Sequence, residues 1–385
     1  TLKDTPALVS SEGTAGLSFV DEAEAINRAV PQLRAQGADA VVVLIHQGAS
    51  QEEPADPDGC HALSGEILPI LARIDPRVDV VVSGHTHRSY VCDYAAIDPT
   101  RPFLLTSAGL YGQMATDIAL TIDPNTHRII AKHARNVIVQ SEPYIAGRGE
   151  VPNTPLYPAF VPRPDIAAYV GTYVEAARGL AGQVVGHLSG PAEKPGASNA
   201  NVGGPLGNLI ADAQLSAARD ARPQIAFTNP FGIRAPLRPA ADGSVTYGDI
   251  FRTQPFNNTL VTQTMAGAQI KAALEQGLDG RRPTQFLAPS AGFVYRYDLS
   301  RPAGDRIVSM TLEGRPNDPV ADYRVTTNSF LAGGGDGFTA FAAPREPTSG
   351  ISDIAALEDW LAAVRTRQVP DEGRVIDAGS SATRR

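Results

Sequence analysis

Between residues 17 and 48 the apolar positions change period. Ile26, Ala29, Val30 and Leu33 recur at near-helical spacing behind Glu22, Gly37 ends the run, and Ala40–Ile45 follows with no polar interruption. That pattern predicts a helix leading into a strand apolar on both faces. The unit then repeats, with helical spacing over Ser64–Arg73 and a wholly apolar run at Val78–Val82. Such strands, alternating with helices, predict a sheet covered on both sides. From 103 to 139 the pattern becomes strand-like alternation around Asp123-Pro-Asn-Thr126, which predicts an antiparallel hairpin. Residues 141–164 are Pro-rich and lack a period, so they read as a linker, with Ile166–Leu180 as a bridging helix. Beyond about 183 a second domain is expected, with helices at 205–219, 266–278 and 352–366 and strands between them. Residues 371–385 read as a disordered tail. The fold class is α/β (α+β), in segments 1–140, 141–182, 183–368 and 369–385.

Composition narrows the partners. A hydrophobic fraction of 43% with 19% charged residues suits a globular chain long enough for two or three domains. The net charge of −8 argues against a nucleic-acid backbone or an anionic membrane as the main partner. It leaves open local phosphate binding through metals or a few arginines. No apolar run reaches the roughly 20 residues of a membrane helix, and nothing at the start reads as a signal peptide. The pattern does not address oligomeric state. Cys60 and Cys92 lie in loop-like polar contexts, which is compatible with two free thiols or with a disulfide.

Three of the seven histidines directly follow the two apolar strands: His46 after the first, His85 and His87 after the second. Loops at strand C-termini are where α/β folds place ligands. A single histidine there more often satisfies loop carbonyls, but three at two strand ends suggest metal ligands. In an extended segment His85 and His87 point to one side and can serve neighbouring metals, for which neutral imidazole is suited. Paired metals in turn suit phosphoryl hydrolysis. Gly84-His85-Thr86-His87, together with Leu44-Ile45-His46-Gln47-Gly48, resembles the calcineurin-like metallophosphoesterases. The resemblance implies His46, His85 and His87 as ligands of a centre of two divalent ions such as Zn, Mn or Co. The family's DxH, GDxxx and GNHE motifs, the last with a catalytic His–Asp pair, precede this region in relatives, and neither DxH nor GNH occurs here. The chain is therefore expected to hold the C-terminal half of that domain, with the rest on a preceding segment or a separate chain.

In the second domain Leu206-Gly-Asn-Leu-Ile-Ala-Asp212 opens a helix and Asn229-Pro-Phe-Gly-Ile-Arg234 follows a strand. Gln254-Pro-Phe-Asn-Asn258 and the Gly-rich Thr327–Phe338 complete the set. Phe256 and Phe330 stand in polar, Gly-rich surroundings where two rings can sandwich a base. Asp336, flanked by glycines, can approach a diol, and Arg234 offers a planar fork to phosphate. Singly, each has a plain structural reading as a core ring, a turn or a cap. In this order and spacing they resemble the 5′-nucleotidase C-terminal domain over about 184–341. The resemblance implies Phe256 and Phe330 as a base clamp, Asp336 on the ribose, and Asn229, Arg234 and Asn258 as polar contacts. The stretch Ser198–Pro205 has neither the Arg that relatives often carry nor the Glu that many carry there. The implied function is hydrolysis of nucleoside 5′-phosphates, with UDP-sugar or 2′,3′-cyclic nucleotide hydrolysis as alternatives. A non-catalytic nucleotide-binding role is the alternative of a different class. Exported bacterial relatives carry cysteines at matching places, which implies a Cys60–Cys92 disulfide and an extracellular or cell-envelope location.

Overall fold

The first change of period becomes α1 (Glu22–Ala35) and β1 (Val42–Leu44). The Asp21 carboxylate accepts from the Glu24 amide and caps the helix, while Ala23 and Val30 form its buried stripe. The computed structural model describes residues 2–3, 5, 16–52, 56–140, 143–146, 149–153, 156–193, 204–278 and 284–379. These divide into two units, with the boundary along the chain between Arg163 and Pro164.

The first unit continues with α2 (Ile67–Leu71), β2 (Val80–Val82), β3 (Ser89–Asp93) and β4 (Leu104–Ala108). A long ribbon, β5 (Met114–Asp123) and β6 (Arg128–Ile138), turns where the sequence places a hairpin. Within the Pro-rich stretch read as linker there is a small hairpin, β7 (Tyr144–Ala146) with β8 (Gly149–Val151). The main sheet runs β1-β2-β4-β3, parallel except for β3. One face packs α1 and α2 through Val30, Ile67, Ile70 and Leu71 onto Val41, Val81 and Leu105. On the other, Val80 and Leu104 meet Ala134, Ile118 and Leu120 of the ribbon. Cover on both sides was expected for every strand, and β1 departs from it: Val42 is 49% and Leu44 76% exposed. The ribbon packs over β4 and the adjoining β2 and β3. Its turn meets Asp39, just before β1, through His127 at 3.0 Å, while Val42 and Leu44 on the edge strand stay exposed. Cys92 on β3 and Cys60 are joined as a disulfide with Cα atoms 5.0 Å apart.

The second unit begins with α3 (Pro164–Ala181), which buries none of its residues. It continues through β9 (Val184–His187), α4 (Gly204–Ala217), β10 (Ile225–Thr228), β11 (Ser244–Thr246) and α5 (Tyr247–Thr253). Next come β12 (Thr259–Ala266), α6 (Gly267–Leu278), β13 (Ala288–Pro289), β14 (Phe293–Tyr297), β15 (Ile307–Leu312) and β16 (Arg315–Pro316). The last elements are β17 (Asp322–Asn328), α7 (Ser329–Ala332), β18 (Arg345–Ser352), α8 (Asp353–Ala362) and β19 (Val375–Asp377). A five-stranded sheet, β13-β10-β17-β12-β18, forms the centre. One apolar cluster joins Phe227, Met265 and Val325 of that sheet to α6 and to Phe293 and Tyr295 of a second sheet, β16-β15-β14-β19. Another joins α4, α5 and α8 to Val185 and Val245 of the β9–β11 pair. No described helix is long and apolar enough to cross a membrane.

The expected disordered tail is corrected for residues 371–379. β19 lies parallel to β14 with Val375 opposite Tyr295, and Arg374 grips Asp212 of α4 with two hydrogen bonds of 2.7 and 2.8 Å. Residues 380–385 lie outside the described residues. Three residues that complete a sheet carry no period of their own, so only their partner strand reveals them. Because both members of the Arg374–Asp212 pair are largely buried, Arg374→Met should lower unfolding free energy by about 2 kcal/mol. Denaturant titration checks this; a shift below about 0.5 kcal/mol, the level of an ordinary surface substitution, would contradict it.

Candidate functional site

The register of the central sheet brings four segments to one edge. β10 and β17 are parallel, with Ile225 opposite Val325, so Asn229 and Ser329 leave on the same side. β12 runs antiparallel to β17 with Leu260 opposite Asn328, which puts the preceding loop, 254–258, there as well. Thr259 pairs with Ser352, so the start of α8 joins them. The C-terminal ends of parallel strands are where such sheets bind ligands.

Buried Asn229 donates from Nδ2 to Asp336 Oδ2 at 2.8 Å and accepts from Asn328 Nδ2 at 3.2 Å. Asn328 also caps α7, its Oδ1 taking the Leu331 amide at 2.9 Å. Asp336 sits at φ 53°, a left-handed conformation for a non-glycine residue that recurs at binding sites. Its neighbour Gly335 has no room for a side chain: a Cβ there would lie 2.6 Å from three atoms of the Phe330 ring. The ring thus rests on backbone beside the carboxylate. Phe256 is 55% exposed, with the Arg234 guanidinium carbon 5.7 Å from its centroid. The Arg234 amide donates to Thr253 O at 2.8 Å, tying the two loops together.

Asn258 differs from the other expected contacts. Its amide donates to Asp353 Oδ2 at 3.2 Å, and its carbonyl accepts the Asp353 amide at 2.8 Å. Asn328 and Asp353 escaped the sequence reading. Their only signal is position, an Asn immediately before a short helix that a Gly-rich turn follows and an Asp in the first turn of an amphipathic one. The Ser198–Pro205 departure lies, through residue 203, outside the described residues.

The histidines belong to the first unit, at the ends of β1 and β2. The loops press together so closely that a Cβ on Gly48 would lie 2.2 Å from Gly84 O and 2.6 Å from Thr86 Oγ1. Thr86 Oγ1 in turn donates to Ala49 O at 2.7 Å. This contact sets the His46 and His85 rings edge to face with centroids 5.2 Å apart. His87 turns to Tyr111, ring centroids 5.8 Å apart. The extended segment expected for the pair is corrected: His85 and His87 sit at φ 70° and 59°, left-handed values that break the two-residue alternation. Partial burial of His85, and after it the nearby imidazoles of His46 and His87, lower its pKa below that of an ordinary histidine. Among the described residues no group of three or more His, Cys, Asp or Glu side chains is arranged to hold a metal ion. Gly48→Ala should force the loops apart and lower unfolding free energy by about 2 kcal/mol, as overpacking does. A melting curve unchanged from that of the wild type would refute the tight contact.

Residues 184–343 match the model of the 5′-nucleotidase C-terminal domain. The endonuclease YhcR of Bacillus subtilis is 26% identical over 95% of this chain, which spans 26% of that protein's length. A 5′-nucleotidase of Diplobatis ommata is 26% identical over 100% of the chain, which spans 65% of its length. Among solved structures, the 5′-nucleotidase precursor of Thermus thermophilus is 27% identical with a TM-score of 0.66, covering 98% of this chain and 71% of that one. Residues 184–343 are a 5′-nucleotidase C-terminal domain, and along its length the chain is similar to proteins named 5′-nucleotidase.

Proposed function

We propose that the chain serves metal-dependent hydrolysis of nucleoside 5′-phosphates to nucleoside and phosphate. The observation that carries this reading is the Asn328–Asn229–Asp336 chain of hydrogen bonds beside Phe330, on the same sheet edge as exposed Phe256. Asn229 holds the Asp336 carboxylate in place, and a fixed carboxylate can accept from both hydroxyls of a ribose. Phe256 and Phe330 give the base apolar faces, and Arg234 gives a phosphate a planar donor fork.

His46 and His85 fit one divalent ion. Imidazole nitrogen suits Zn, Mn or Co, and the lowered pKa of His85 favours the neutral form that ligation requires. Two imidazoles are only part of a donor set, so further ligands come from beyond the described residues. When bound, a pair of such ions supplies Lewis acidity and an acidified water. His46 and His85 then act as a rigid rest for the metal, set by the Gly48–Gly84 contact. The disulfide supports a location in an oxidising compartment, outside the cytoplasm.

The test is AMP binding together with phosphate release by the purified chain, with Mn²⁺, Zn²⁺ or Co²⁺ and with EDTA. Binding with metal-dependent release supports the proposal. Binding without release under any metal favours a second reading, nucleotide binding without turnover. No binding overturns both.

A further inference from the structure

Asp353 is 3% exposed in the first turn of α8, and one of its oxygens, Oδ1, has no hydrogen-bond partner among the described residues. Burial is the main cause of its raised pKa, and no basic group is among the causes. A buried carboxyl without a cation is costly to keep, and this one keeps a specific contact. It accepts the Asn258 side chain at 3.2 Å and donates its own amide to the Asn258 carbonyl at 2.8 Å. At the other end of the same loop, the Arg234 amide holds Thr253 O at 2.8 Å.

Only residues 254–257 lie between these two anchors. Pro255 has a fixed φ, and Asn257 is left-handed at φ 52°. Phe256 stands at the tip of this short span, 55% exposed. Gln254 is buried with its backbone amide on Ile250 O, and the Arg234 guanidinium lies beside the ring. Among the described residues, the Asn258 end is thus the side of the loop that Asp353 alone holds by a side chain. We propose that Asp353 is a positioning residue of the nucleoside site, fixing through Asn258 the loop that presents Phe256. This rests on the nucleotide-binding reading above.

The experiment compares wild type, Asp353→Ala, Asp353→Asn, Phe256→Ala and the Asp353→Ala/Phe256→Ala double variant. Adenosine and AMP binding is measured by calorimetry, hydrogen exchange over residues 254–258 by mass spectrometry, and folding by circular dichroism. Asp353→Ala should weaken adenosine about tenfold, near the lower end of one base stack, and speed exchange in the loop. Asp353→Asn keeps an acceptor for Asn258 and should restore both readings. In the double variant the two losses should fall well short of adding, since both residues act through one ring.

Unchanged exchange and affinity in Asp353→Ala, additive losses, or an Asn variant as impaired as the Ala variant would each overturn the proposal. If Asp353→Ala proves unfolded, the Asn variant and the exchange pattern of the wild type decide. Fast exchange over 254–258 in the folded wild type would then overturn it. If wild type binds neither nucleoside nor nucleotide, the functional reading fails, and the exchange measurement still decides whether Asp353 sets the loop.

Discussion

Phe256→Ala is expected to weaken AMP binding about five- to 150-fold, from the roughly 1–3 kcal/mol that one base stack contributes. Stability should hardly change, because a ring already 55% exposed contributes little to folding. Phe330→Ala should weaken binding further. Its half-buried ring lies on Gly335, next to Asp336, so truncation removes a stacking surface and loosens the loop that carries the carboxylate. Calorimetric titration with AMP measures both effects. Turnover of a small aryl phosphate, which has no base to stack, provides the contrast and should change less than the AMP constants. Equal losses on the two substrates would mean that these rings do not recognise the base.

The second large effect concerns stability against pH. Burial raises the Asp353 pKa from 3.8 to about 6. Between these values the folded state holds a proton that the unfolded state has released. The contribution of Asp353 is therefore fully present below pH 3.8, falls as pH rises, and is lost above about 6. A rise from 3.8 to about 6 corresponds to about 3 kcal/mol. Asp353→Asn cannot ionise and should escape this loss. Relative to wild type its unfolding free energy should rise by about 3 kcal/mol between pH 4 and 7.5 and then level off. Urea titrations at several pH values give this difference directly, and a flat difference would show that Asp353 titrates normally.

Much of the first unit could be read from period alone. The apolar stripe behind Glu22 became α1, and the alternation around Asp123-Pro-Asn-Thr126 became the β5–β6 ribbon. Period failed where an element depends on its neighbours. Val42 and Leu44 look like a strand buried on both faces, yet β1 took the edge of the sheet and both stayed exposed. Val375–Asp377 looks like a tail, yet it became a strand because β14 offered a free edge and Arg374 found Asp212. His85 and His87 alternate in sequence, but the pressure of Gly48 on Gly84 accompanies a left-handed turn that separates them.

By itself the sequence determined the mixed α/β class, the loops that hold candidate ligands, and the chemistry each side chain offers. Those properties are local, set by the identity and spacing of nearby residues. Only the tertiary structure decided which side chains meet. Asn229 finds Asp336 across 107 residues and Asn258 finds Asp353 across 95. Both meetings follow from strand registers of one sheet, and a register is a property of two strands together. For the same reason Asn258 appeared in sequence as a ligand contact, and in the fold it is the link between a buried carboxyl and the Phe256 loop.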